Sequence, residues 1–142
     1  MTLTNTDKNN AVFKIKNNQI FDDHNDCVEI KTEGSFYFKN GTYYLMYKEY
    51  NDIGEVSIMI RVKGDTVIIK RSGACNARME YREGLQSEVM YSVPFGNIVL
   101  DLDTKKVVNE LSEESGGYFG IKYRLTVNGE SYVNNLRIEV EI

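Results

Sequence analysis

Apolar residues in this chain recur at every second position and never hold a helical spacing for long. That alternation limits the fold more than any other feature. A period of two puts one face of each segment against a core and leaves the other to water, the pattern of antiparallel sheet. Ala11, Phe13 and Ile15 alternate with Lys14 and Lys16, and Val28, Ile30 and Thr32 with Glu29, Lys31 and Glu33. Val56, Ile58, Ile60 and Val62 share one parity, and Val67 and Ile69 continue the alternating pattern. Phe119, Ile121, Tyr123, Leu125 and Val127 form another such row, and Leu136, Ile138, Val140 and Ile142 a last one.

The turn residues agree with the alternation. Asn40-Gly41 and Asn128-Gly129 suit two-residue type I′ turns, whose central residues both take positive φ. Gly54 and Gly64-Asp65 separate further strands. Pro94 has no N–H for a ladder, so it breaks a strand ending near Val93 from one starting near Asn97. Asp103-Thr104-Lys105 reads as another turn, and a short helical turn is expected around Asn109 to Ser115. The expectation is about ten strands of roughly 6 to 12 residues joined by short hairpins, closing as a single antiparallel, mostly up-and-down barrel. Residues 1–10 are read as a flexible polar leader and 11–142 as the barrel domain.

The chain also resembles the YwiB-like bacterial family, a domain of unknown function with a calycin-like (lipocalin-type) barrel. The resemblance runs through Thr32-Glu33-Gly34, Tyr37-Phe38-Lys39, Tyr44 to Glu49, Asp52-Ile53-Gly54 and Arg71-Ser72-Gly73. It continues at Met79, Gly84, Tyr91, Phe95-Gly96, Leu111, Tyr123, Leu125, Asn135 and Ile138, so it covers roughly residues 10 to 140. It implies the barrel fold and brings no established activity.

Composition narrows the function classes. Seventeen Lys and Arg against 21 acids give a net charge of −4, without the basic excess or stripe of a duplex-binding surface, so no nucleic-acid partner is expected. The N-terminal stretch has no apolar run, so neither an export signal nor a membrane span is expected, and a cytoplasmic location follows. Cys27 and Cys75 are then read as two reduced, unrelated thiols.

Catalytic and metal chemistry find little material. His24 is the single histidine, too few for a histidine-based metal centre and an unpromising base for a triad. Asp22 to Asp26 superficially spaces oxygens like a calcium loop, but Cys27 stands where glycine is needed and a strand follows. The glycine-rich run from Ser115 to Lys122 lacks phosphate-loop spacing, and its aromatic segment lacks the helices of an RNA-binding domain. No catalytic residue, cofactor or metal is assigned, and an enzyme ranks third among the readings.

Two readings remain. In the first, the barrel binds a small apolar, amphipathic or anionic ligand. Arg71 shares parity with Val67 and Ile69, so its guanidinium faces the core side and needs an acceptor. Glu49, of one parity with Tyr43, Leu45 and Tyr47, is its candidate partner. The candidate ligand residues are Arg71, Glu49, Tyr47, Phe36, Met79, Tyr91 and Phe119; alternatively, Arg71 is a structural group closing one barrel end. In the second reading the barrel wall, with Tyr43, Tyr44, Tyr47 and Tyr50 on one strand, forms a homodimer and holds no ligand.

Overall fold

A computed structural model describes residues 9–142, so the leader expected over residues 1–10 lies outside the described residues up to residue 8. Ten antiparallel strands follow: β1 (Ala11–Ile20), β2 (Asn25–Lys39), β3 (Thr42–Asn51), β4 (Gly54–Lys63) and β5 (Thr66–Gly73), then β6 (Ala77–Arg82), β7 (Gln86–Val93), β8 (Gly96–Ser112), β9 (Gly116–Val127) and β10 (Glu130–Glu141). They form one sheet in the order β6-β5-β4-β3-β2-β1-β10-β9-β8-β7. The sheet curls into a nearly closed barrel, and the bridge Asn76–Ser92 joins its β5–β6 turn to β7. Every ladder joins consecutive strands except β1–β10, where the first and last strands meet in register from Val12–Glu141 to Ile20–Val133.

The two Asn-Gly turns are as expected, with φ of 52° and 81° at Asn40-Gly41 and 51° and 80° at Asn128-Gly129. Pro94 lies between β7 and β8. Two long strands depart from the expected lengths, because each serves two neighbours. β2 pairs with β1 through Gly34 and with β3 from Ser35 onward. β8 pairs with β7 from Gly96 to Asp103 and with β9 from Asp101 to Ser112.

Asp103-Thr104-Lys105 is therefore not a turn. β8 runs through it with a bulge between Thr104 and Lys106, and Asp103 and Lys105 pair their side chains at 2.6 Å. One extra residue in a ladder bends the strand without ending it. The helical turn expected at Asn109 to Ser115 is also absent: Asn109 to Ser112 complete the β8 ladder with β9, and a tight turn follows. Asn109 Nδ2 donates to the Gly64 carbonyl at 2.8 Å, tying this end of β8 to the β4–β5 turn.

We call the barrel end carrying the turns after β1, β3, β5, β7 and β9 the upper end. The lower half of the lumen is packed solid. Phe13, Leu45, Ile60, Val62, Val67, Phe119 and Ile138 are each 0–1% exposed, and Phe36, Ile121 and Val140 are buried among them. Burying one such side chain contributes about 1.5–3 kcal/mol, so these residues dominate the stability of the fold. Val28 and Ile30, expected in the core, are instead 47% and 41% exposed. They point to the core side, but β3 has left β2 by then, so the wall that would cover them is missing. Ile142, at the chain end past β10, is exposed as well.

Candidate functional site

Four of the seven candidate residues come together in the upper half of the lumen. The ladder rungs Tyr47–Ile58, Ile58–Arg71 and Arg71–Ala77 set Tyr47 and Arg71 on one inward row across β3 to β6. Glu49 is one inward step nearer the upper end. Its Oε2 lies 3.4 Å from Arg71 Nη1, with the two side chains 25% and 28% exposed. The pairing expected from parity thus exists, as a long contact and not a tight fork. Tyr91 reaches the cluster from β7, held there by the Asn76–Ser92 bridge beside it.

Electrostatics define the site. Burial acts to lower the Arg71 pKa, but the phenolates that Tyr91, Tyr47 and Tyr81 become at high alkaline pH, together with the Glu49 carboxylate, outweigh it and hold that pKa above its ordinary value. Burial, in turn, keeps the phenols protonated: Tyr91 and Tyr123 are pushed up to about 12, and Tyr47 and Tyr81 are raised further. The buried thiol of Cys75 adds to the upward shift of Tyr91. At neutral pH this is one permanent cation, one carboxylate and a ring of neutral hydroxyls, each able to donate and accept.

The remaining candidates lie elsewhere. Phe36 and Phe119 are fully packed in the lower half, Phe36 stacked on Tyr43 at 5.9 Å. Met79 stands between the two regions, its sulfur accepting from Tyr81 Oη at 3.1 Å.

Sequence reading missed two groups that face the lumen, a tyrosine pair and an amide cluster. Tyr81 and Tyr123 meet edge-on, ring centroids 4.9 Å apart, and both sense the charge of Arg71. Beside Tyr123 on the ladder stands Asn134, 1% exposed. Its Oδ1 accepts from Asn17 Nδ2 at 3.2 Å and from Gln19 Nε2 at 3.4 Å. Among the described residues, Asn134 Nδ2, Asn17 Oδ1, Thr104 Oγ1 and Ser87 Oγ are buried without a hydrogen-bond partner. Asn17 and Gln19 share parity with Phe13 and Ile15, and Asn134 with Leu136 and Ile138, so alternation carried the signal for inward amides.

Two concavities open on the surface. One, of about 720 Å³, lies where β2 leaves β3; the other, of about 1250 Å³, lies among the β1–β2 and β9–β10 turns. The second holds His24, stacked on Phe21 at 4.5 Å and paired with Asp23 at 2.6 Å. Among the described residues no three metal-ligating side chains gather, and no helix is long and apolar enough to cross a membrane.

Comparison with known proteins fits this architecture. Residues 13–140 match the family model described as "Domain of unknown function (DUF1934)". The "Uncharacterized beta-barrel protein YwiB" of Bacillus subtilis (strain 168) is 31% identical over 121 residues, 84% of each chain. The crystal structure of the ywiB protein from Bacillus subtilis superposes with a TM-score of 0.85 at 28% identity, covering 92% of this chain and 89% of that one.

Proposed function

The chain belongs to the DUF1934 family, and from that premise we propose that it is a binding module whose ligand seat is the upper half of the barrel lumen, centred on Arg71. One observation carries the reading. Arg71 is a half-buried guanidinium with five donors, and its one carboxylate contact among the described residues is Glu49 at 3.4 Å. An arginine serving only to close a barrel end would be expected to saturate its fork with carbonyls or carboxylates. This one is ringed by Tyr47, Tyr81, Tyr91 and Tyr123. Such a site suits a planar anion, carboxylate or phosphate, held by charge-assisted bonds and flanked by hydroxyls.

Ligand size follows from packing. Phe13, Phe36 and Phe119 fill the lower lumen, so the seat takes a small molecule and not a long acyl chain. An apolar portion would rest on the exposed inner face of Val28 and Ile30. The free thiols of Cys27 and Cys75 fit a cytoplasmic setting.

The test is a thermal-shift series on the purified protein with small carboxylates and phosphates, on wild type, Arg71→Lys and Arg71→Met. Ligand at a hundred times its Kd stabilises by about 2.7 kcal/mol. Wild type should rise in Tm, the lysine variant less, the methionine variant not at all. Equal shifts in all three, or none in wild type, overturn the proposal.

A second reading, a homodimer through the barrel wall, draws on the outer stack of Tyr37 on Tyr44 at 4.8 Å. Light scattering that stays monomeric at high concentration removes it.

A further inference from the structure

Glu49 and Arg71 stand on β3 and β5, and the rungs Glu49–Val56 and Ile58–Arg71 place them on either side of β4. Val56 and Ile58, which separate them on the ladder, are buried. The pair meets through one atom of each side chain, Arg71 Nη1 and Glu49 Oε2, at 3.4 Å. Among the described residues no other acceptor meets the guanidinium and no other donor meets the carboxylate. The phenols around them, Tyr47, Tyr81 and Tyr91, stay protonated at neutral pH. The seat therefore holds one positive and one negative charge, side by side and mostly buried.

Such a doublet is poorly matched to a plain anion. A carboxylate or phosphate that reaches Arg71 arrives beside the Glu49 carboxylate, and like charges forced together repel. A molecule carrying both charges close together is well matched. Its carboxylate takes the guanidinium donors that Glu49 leaves over, and its ammonium takes the free Glu49 oxygen. Charges of alternating sign then lie together, and neither partly buried residue loses its counter-charge. We infer that the seat takes a zwitterion, a free α-amino acid with an apolar side chain, and that Glu49 determines this specificity. The inference rests on the Arg71 seat proposed above and adds the second charge to it. In an α-amino acid a single carbon separates ammonium from carboxylate, so its charges lie about as close together as those of the pair. The side chain is apolar because Tyr47, Tyr91, Val56 and Ile58 surround the doublet. Glu49 acts as both the attractive and the excluding element, favouring the ammonium and rejecting anions that lack one.

The test is isothermal titration calorimetry on the purified full chain at neutral pH, with leucine and two analogues of the same side chain. One is 4-methylpentanoate, which lacks the ammonium; the other is 3-methylbutylamine, which lacks the carboxylate. Leucine should bind wild type at least about tenfold more tightly than either. Glu49→Gln should erase that preference: leucine weakens, 4-methylpentanoate tightens, and the two bind alike. Arg71→Met should bind neither carboxylate. If 4-methylpentanoate binds wild type as tightly as leucine, or if Glu49→Gln keeps the leucine preference, the zwitterion is overturned and the Arg71 seat stands. If neither carboxylate binds wild type, or if the amine matches leucine, both readings fall. The wild-type series needs no variant, so it decides even where Glu49→Gln does not fold.

Discussion

Gly34 marks the point where β2 changes partners, and replacing it by alanine tests how that handover is built. A Cβ at this position would stand 2.3 Å from Phe13 Cε2 and 2.4 Å from the Met46 carbonyl oxygen. Carbon contacts are comfortable near about 3.5 Å, so the added methyl overlaps both neighbours by about 1 Å. The φ of Gly34 is not in the left-handed region, so the cost is steric and not conformational. Overpacking a tight core costs about 1–3 kcal/mol, and here the upper figure applies, because one neighbour is backbone at the last β2–β3 rung. With a urea slope of about 2 kcal/mol/M for a chain this long, Gly34→Ala should lower the midpoint by about 1.5 M. Pairing it with Phe13→Leu separates the two clashes. The smaller side chain relieves the ring overlap, so the double variant should be about 1 kcal/mol more stable than the summed singles. The Met46 clash should persist. An unchanged midpoint in Gly34→Ala, or strict additivity in the double variant, would refute this account of the handover.

Alkaline titration followed by tyrosinate absorbance should divide the ten tyrosines, with Tyr47, Tyr81, Tyr91 and Tyr123 ionising late. Because the unfolded phenol ionises near pH 10 while folded Tyr91 and Tyr123 hold their protons to about 12, the native state binds more protons in that window and stability should fall through it; a single native transition near pH 10 for all ten would contradict the burial. Asn134→Ala strips the shared acceptor from Asn17 and Gln19 and should cost about 1–2 kcal/mol by urea melting, whereas Asn134→Leu, which fills the space, should cost less; the reverse order would mean the amide cluster is not what Asn134 supplies. Proton NMR should find the His24 pKa above its ordinary value, raised chiefly by its hydrogen bond to Asp23, and Asp23→Asn should lower it, an outcome that an unchanged titration would exclude.

Much of the architecture was legible because alternation and turn chemistry are local. The parity of Arg71 with Val67 and Ile69, and of Glu49 with Tyr47, was enough to bring the ion pair together on paper. What escaped was non-local. Val28 and Ile30 have the pattern of core residues, and nothing in their own segment says that β3 will have turned away. Lys105 as a bulge and Lys105 as a turn look alike until the β9 register is known. Tyr81 and Asn134 joined the site only through contacts between strands far apart in the chain, one to Tyr123 on β9 and the other to Asn17 and Gln19 on the neighbouring β1. Phe36 and Phe119 point inward as expected, but parity cannot tell a filler of the lumen from a lining of it.

The β1–β10 ladder is the one pairing that chain order does not supply. Apart from β7, an edge strand that pairs forward with β8, the other strands can zip onto a predecessor as hairpins, closing loops of a few residues. This ladder must wait until two ends more than a hundred positions apart find each other, so the largest entropic toll of assembly falls on a single event. A variant with those termini fused, and new ends cut in the turn between β6 and β7, would turn that late encounter into one more hairpin. Its ten strands would then follow one another around the wall in the order in which they are made.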